Sequence, residues 1–333
     1  MPAARTRRLA ASVVAAASAA VAIGAAAHSA PGGPTPGAAA ASAAATPAAG
    51  CADRAALGIE VQGAMLCASI DDPAHSIRTE LLRDWIDRSA RIVAAYYARF
   101  PAPLVVLRIR VEPGSGVRGG RTTNDSGLKI QVSVGADTTA GDLAADWVLV
   151  HEMVHLALPE IGRRHNWLAE GLAVYVEGIA RAQFGNRDIT DVWAEDRRSM
   201  PLGLPRAGEG GMDESPSWGR IYWGGALFCL QADVKLREQT QNRAGLQTAL
   251  RAILKETGGY RAERDIDDVL RIGDAATGTQ VLQELYQANR AAPVAPDLAQ
   301  LWARLGVPED PKSQPFDDHA PLAAIRIAIT RKP

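Results

Sequence analysis

Residues 146–177 read DWVLVHEMVHLALPEIGRRHNWLAEGLAVYVE, and the spacing of their polar residues organises the chain around them. His151-Glu152-Met153-Val154-His155 is an HExxH sequence. On a helix, residues four apart share a face, so His151 and His155 direct two imidazoles at one point. Neutral imidazole is a good zinc ligand, and catalytic zinc usually has three protein ligands and one open position. Glu152 stands one position round the helix, beside such a metal rather than on it, where a carboxylate serves as general base. Glu170, on the next helix, is the expected third ligand. His165 is the alternative third ligand, but it falls in the polar turn Gly162-Arg163-Arg164-His165-Asn166.

The flanking residues support a buried site. Val148, Leu149, Val150, Met153, Val154, Leu156 and Leu158 are apolar almost all round the helix, which predicts burial. Polar groups buried there need partners, and a metal would supply one to each histidine and to the glutamate. Thr139-Ala140-Gly141-Asp142 has the form of a capping box that starts this helix, and Pro159 ends it. Asn166 is the expected cap of the second helix, which begins at Trp167. The short loop between them folds the two helices back on each other.

HEMVH followed by WLAEGLAVYVE resembles the gluzincin zinc peptidases, the peptidase MA group. That group includes thermolysin and the aminopeptidase-N-like and glycyl-aminopeptidase-like enzymes. The likeness is closest to small bacterial peptidase MA-like proteins and is specific over His151 to Glu177. It implies Zn²⁺ held by His151, His155 and Glu170, with Glu152 as general base. It also implies that Glu177 orients a ligand imidazole; the alternative for Glu177 is a solvated helix residue. In gluzincins the strand before the zinc helix forms the upper rim of the cleft. By that resemblance Lys129, Ile130, Gln131 and Val132 are the candidate substrate edge, where an extended peptide would pair; the alternative is an ordinary sheet strand. Tyr222-Trp223-Gly224-Gly225-Ala226 resembles the aminopeptidase-N-like segment whose tyrosine stabilises the transition state. The alternatives are that Tyr222 packs with Trp223 and Phe228, and that Tyr175 is the donor. The segment that grips a free amino terminus in those enzymes has no counterpart here: Gly63-Ala64-Met65 is followed by Leu66 and Cys67 and lies far upstream.

Outward from this centre, Leu104–Val111 and Leu128–Val134 alternate as strands, and 76–100 carries the apolar stripe of a helix. Residues 114–127 read as a Gly-rich flexible connection, and 186–217 as a long loop of the kind that forms lids. After Ile221 the pattern is helical, while 322–330 suits a strand or a helix. The expected fold class is α+β, a zincin-like catalytic domain with an N-terminal sheet lobe (51–183) and a mainly helical C-terminal lobe (184–333).

Arg5, Arg7 and Arg8 followed by an uncharged alanine-rich run have the form of a signal peptide over 1–27, and 28–50 is an Ala/Pro/Gly linker. Export to the periplasm or exterior follows, with no stable membrane insertion once the signal is cleaved. In that setting Cys51 and Cys67 form a disulfide, worth roughly 3 kcal/mol in the chain-entropy model, and Cys229 remains a buried thiol. The net charge is -1 and no basic tract occurs, which excludes nucleic acid as a partner. The expected partner is a peptide or protein substrate. Two other readings share these residues: a zinc-stabilised scaffold without turnover, and a zinc hydrolase acting on a cell-wall peptide or another non-protein amide.

Overall fold

The computed structural model of the chain describes Cys51 and residues 56–125, 127–214 and 217–332. The expected signal and linker, 1–27 and 28–50, lie outside the described residues. Strands β1 (Leu57–Val61) and β2 (Ala64–Asp71) form a hairpin across Gln62 and Gly63. Both turn residues have positive φ, 50° and 80°, as a tight two-residue hairpin demands. The Cys51–Cys67 disulfide is present.

Helix α1 (Thr79–Tyr97) follows, then β3 (Leu104–Glu112), β4 (Val117–Thr123) and β5 (Lys129–Gly135). The sheet order is β1-β2-β3-β5-β4. Strand β5 pairs in parallel with β3 and antiparallel with β4, so the edge is β4. One face of the sheet is apolar, with Leu66, Leu107, Ile109, Ile130 and Val132 buried in a core that also holds Leu82, Trp85, Ile86 and Val93 of α1. Each such side chain contributes roughly 1.5–3 kcal/mol by burial. On the other face Arg108 and Arg110 are solvated.

Two expectations are corrected in this lobe. The segment 114–127 contains a real strand, β4, which its glycines had hidden. Lys129, Ile130, Gln131 and Val132 do not offer a free edge, because β5 is interior and its main chain bonds to neighbours on both sides. Ile130 and Val132 are core residues.

The capping box at Thr139 and Asp142 is formed, but it starts a separate short helix, α2 (Ala140–Ala145). The chain then turns extended at Asp146, and α3 (Val148–His155) begins afresh. Asp146 caps it: Oδ1 accepts from the Val148 amide at 2.9 Å and Oδ2 from the Leu149 amide at 3.1 Å. Trp85 of α1 donates its indole N–H to the same carboxylate at 2.9 Å. The sheet lobe thereby fixes the start of the HExxH helix.

Helix α4 (Asn166–Phe184) packs against α3 and ends at Gly185, which takes φ 82°. Within the expected loop 186–217 lies α5 (Ile189–Ser199), capped by Asp188. A π-helical turn, Arg220–Gly224, leads into α6 (Gly225–Thr240). The remaining helices are α7 (Leu246–Thr257), α8 (Ile266–Thr277), α9 (Val281–Asn289), α10 (Leu298–Leu305) and α11 (Ala323–Thr330). The last resolves the choice at 322–330 in favour of a helix. Among the described residues no helix is long and apolar enough to cross a membrane.

Candidate metal centre

Helix α3 presents His151 and His155 on one face, and α4 crosses it so that Glu170 completes a group of three ligand atoms. The His151 and His155 Nε2 atoms are 3.3 Å apart. Glu170 Oε2 is 3.3 Å from His151 Nε2 and 3.6 Å from His155 Nε2. Donors placed tetrahedrally at about 2.0–2.2 Å from a common zinc ion would stand about 3.3–3.6 Å from one another. The donor set and its spacing therefore fit zinc. Burial opposes ionisation of Glu170, but its bonds to His151 and His155 hold the carboxyl far below the usual carboxylate range. His155 moves the other way: burial disfavours its charge, yet Glu170 and then Glu152 raise its pKa. The pocket is thus built to hold positive charge against a carboxylate.

His165 does not join this group. Its Nδ1 lies 3.1 Å from Asp213 Oδ1, which also accepts from Trp167 Nε1 at 3.0 Å. Tyr286 donates to Asp213 Oδ2 at 2.9 Å. Asp213 thus gathers three side chains and pins its loop over the start of α4, with His165 committed to it. Asn166 is the first residue of α4 rather than its cap, and the capping position has no side-chain hydrogen bond.

Glu152 is buried beside the ligands and is held from the edge strand. Thr122 Oγ1 of β4 lies 2.8 Å from the Glu152 carbonyl oxygen and 2.7 Å from Glu152 Oε2. Gly120, two residues earlier on β4, leaves room for that side chain: a Cβ there would stand 2.5 Å from Glu152 Cγ. Neither Thr122 nor Gly120 was visible as a site residue in the sequence. The available signal was local, Val117, Thr122 and Thr123 as β-formers around the glycine pair.

Tyr222 lies in the π-helical turn, its ring stacked at 6.5 Å on His151 and at 5.2 Å on Trp218. Burial, then the nearby Glu170 carboxylate, push its phenol well above the ordinary value, so the hydroxyl keeps its proton. It faces the centre and is not packed away with the buried Trp223 and Phe228. Tyr175, the alternative donor, is buried and donates to Asp233 at 3.0 Å.

Glu177 is also placed differently from expectation. Its Oε1 accepts from Arg181 at 2.6 Å and its Oε2 lies 3.8 Å from Arg187. Among the described residues it bonds to neither histidine, and His151 Nδ1 has no hydrogen-bond partner. Arg181 and Arg187 take up its two carboxylate oxygens instead. It is equally not a solvated residue, being buried between two guanidiniums.

No protein-family profile matches the chain, and no curated protein matches it in sequence. Solved structures do match. An aminopeptidase N family protein from Idiomarina loihiensis superposes with a TM-score of 0.57 at 12% identity, over 75% of this chain and 49% of that one. An M1 zinc metallopeptidase from Deinococcus radiodurans gives 0.48 at 16% identity, over 73% of this chain and 52% of that one. A two-domain M1 zinc metallopeptidase bound to L-arginine gives 0.47 at 16% identity, with coverage of 73% and 52%. The chain spans about half the length of these proteins. The fold is α+β, a five-stranded sheet lobe followed by a helical lobe, and resembles that of the aminopeptidase N family protein.

Proposed function

We propose that this protein is an exported zinc-dependent peptidase of gluzincin type. The observation that carries the reading is the convergence of His151, His155 and Glu170 with Glu152 beside them and outside the ligand group. A structural metal site has no use for that second carboxylate, which argues against the scaffold reading. A cleft of 2980 Å³ runs past these residues, far larger than the few hundred to about 1,000 Å³ typical of small-molecule sites. Its size suits a chain-like substrate, such as a peptide or a cell-wall peptide.

Zinc held by the three ligands would supply Lewis-acid activation of a water and of the scissile carbonyl. The protein's own residues handle the proton and the charge. Glu152 takes a proton from the attacking water and returns it to the departing amine. Thr122 keeps that carboxyl in place throughout. Its hydroxyl has one proton and two acceptors in reach, the Glu152 carbonyl oxygen and Oε2. It donates to Oε2 while the carboxylate is charged. Once Glu152 carries the proton on its other carboxyl oxygen, free to pass to the amine, Oε2 still accepts from the Thr122 hydroxyl. Tyr222 donates a hydrogen bond to the carbonyl oxygen as negative charge builds there. Export rests on the basic and alanine-rich amino-terminal segment and on the disulfide, a bond that persists in oxidising compartments.

The deciding experiment is a peptide-library digest by the purified protein beside Glu152→Gln. The parent should cut peptides, and the variant should keep its metal and fold while losing turnover. Undiminished cleavage by Glu152→Gln, or none by the metal-loaded parent, would overturn the reading.

A further inference from the structure

Three exposed large apolar side chains line the cleft: Trp147 at 40%, Trp218 at 43% and Leu202 at 47%. Apolar residues scattered singly over a surface need no explanation, but grouped ones mark a contact site. These are grouped on one flank of the metal centre. Trp147 precedes α3 and lies one turn before His151, its ring edge-on to that imidazole at 5.6 Å. Trp218 lies one turn before Tyr222 and stacks on it at 5.2 Å. Tyr222 in turn stacks on His151 at 6.5 Å. The two indoles thus end a row of rings whose middle members are a metal ligand and the donor to the carbonyl oxygen.

Leu202 is fixed beside this row by its backbone. A Cβ on Gly219 would stand 2.4 Å from the Leu202 carbonyl oxygen, and one on Gly203 would stand 2.3 Å from the Gly224 amide nitrogen. Arg220 is buried and donates to the Gly203 carbonyl at 2.8 Å. The segment carrying Leu202 is therefore clamped onto the turn that carries Trp218 and Tyr222. Ile221 adds a half-buried side chain to the same wall. Surface ordered in advance lowers the entropic cost of binding a ligand. Beyond the other end of α3 the lining carries exposed charge, with Glu160 and Arg163.

We propose that Trp147, Leu202 and Trp218 form a specificity subsite that receives a large apolar side chain of the peptide substrate beside the bond that is cut. This rests on the peptidase reading above. Tyr222 meets the scissile carbonyl and Trp218 stacks on Tyr222. An extended chain advances about 3.3 Å per residue, so the side chain that covers Trp218 comes from a residue within about two positions of the cut. Indoles pack well offset or edge-on against another ring, which places phenylalanine ahead of leucine. A glutamate there would shed water against apolar surface.

The test uses the metal-loaded protein and peptides that differ only in carrying phenylalanine, leucine, glutamine or glutamate at each of the two positions on either side of the cut. At one of these positions the parent should favour phenylalanine over glutamine by about tenfold or more in kcat/KM, the worth of burying one such side chain. Trp218→Gln and Leu202→Asn should each lower that ratio, and together they should bring it close to unity. The loss should fall on the phenylalanine and leucine peptides, whereas a merely structural role would lower every peptide alike. A second readout is independent of turnover. In the Glu152→Gln background, fluorescence anisotropy should show the phenylalanine peptide bound about tenfold more tightly than the glutamine peptide, and adding the two substitutions should erase the difference. Leu202→Asn alone serves if Trp218→Gln fails to fold or to hold metal. No apolar preference, a preference that survives the substitutions, or an equal loss for every peptide overturns the subsite. Absence of cleavage by the parent for every peptide would overturn the peptidase reading alone; the binding arm would then decide the subsite, and no binding of any peptide would overturn it.

Discussion

Gly171 of α4 and Gly225 at the start of α6 meet backbone against backbone: a Cβ on Gly171 would lie 2.2 Å from the Gly225 Cα. The reverse contact is as close, since a Cβ on Gly225 would stand 2.1 Å from the Trp167 carbonyl oxygen. This crossing brings the π-helical turn and Tyr222 up to Glu170, one residue before the contact. Gly171→Ala must therefore separate the two helices. Overpacking of this kind costs about 1–3 kcal/mol. Urea unfolding should show a loss in that range, with catalysis falling further than stability explains. An unchanged midpoint would mean that the helices are not in contact.

Glu170 and His165 make opposite claims on the metal. Glu170→Ala should lose most of the zinc, because it removes one of three ligands. His165→Ala should keep the zinc and lose stability, since it frees Asp213 from one of its three donors. Metal analysis of both variants decides this. Full zinc in Glu170→Ala with none in His165→Ala would reverse the assignment.

Thr122 holds Glu152 without touching the ligands. Thr122→Val keeps the volume and removes the hydroxyl, so zinc content should match the parent. A hydrogen bond to a charged group contributes about 1.5–3 kcal/mol, and kcat should fall by about tenfold or more with KM little changed. A parent-like kcat would show that the carboxylate is positioned by other means.

Tyr222 should matter only as charge develops on the carbonyl oxygen. A donor of this kind is worth about 3–4 kcal/mol in the transition state. Tyr222→Phe should lower kcat by about two orders of magnitude with KM nearly unchanged and zinc retained. Steady-state kinetics that find a normal kcat would remove the residue from the mechanism.

Asp196 should make stability depend on pH. Its carboxyl moves from an ordinary value of 3.8 up to about 8 in the folded protein, through burial and the neighbouring Glu195 and Glu177 with Arg187 opposing. The folded state binds this proton more tightly than the unfolded chain. The contribution is therefore complete below about pH 4 and lost as pH rises through about 8. Asp196→Asn removes the titration. Its Tm should decline less than the parent's between about pH 5 and pH 8, leaving the variant the more stable at the upper end. Parallel Tm profiles would show that Asp196 does not hold its proton.

The features legible in the sequence were those set by contacts a few residues apart. His151, Glu152 and His155 could be placed because a helix puts residues i and i+4 on one face, whatever surrounds it. The apolar run around them showed burial, and the alternation of Leu104–Val111 and Leu128–Val134 marked strands. The Cys51–Cys67 pairing needed only a nearby hairpin.

Tertiary structure alone decided what depends on neighbours distant in sequence. Side-chain alternation tells which face of a strand is buried but not which strand lies beside it, so β5 passed for the edge while β4 held that place. Thr122 and Glu152 are 30 residues apart, and their bond exists only because β4 is outermost. His165 was drawn from the metal by Asp213, 48 residues away. Glu177 is paired with Arg181 four residues on along α4, and Gly185 reverses the chain so that Arg187 adds a second guanidinium. In each case a polar side chain takes the partner that burial leaves within reach, and that choice is made when the lobes pack.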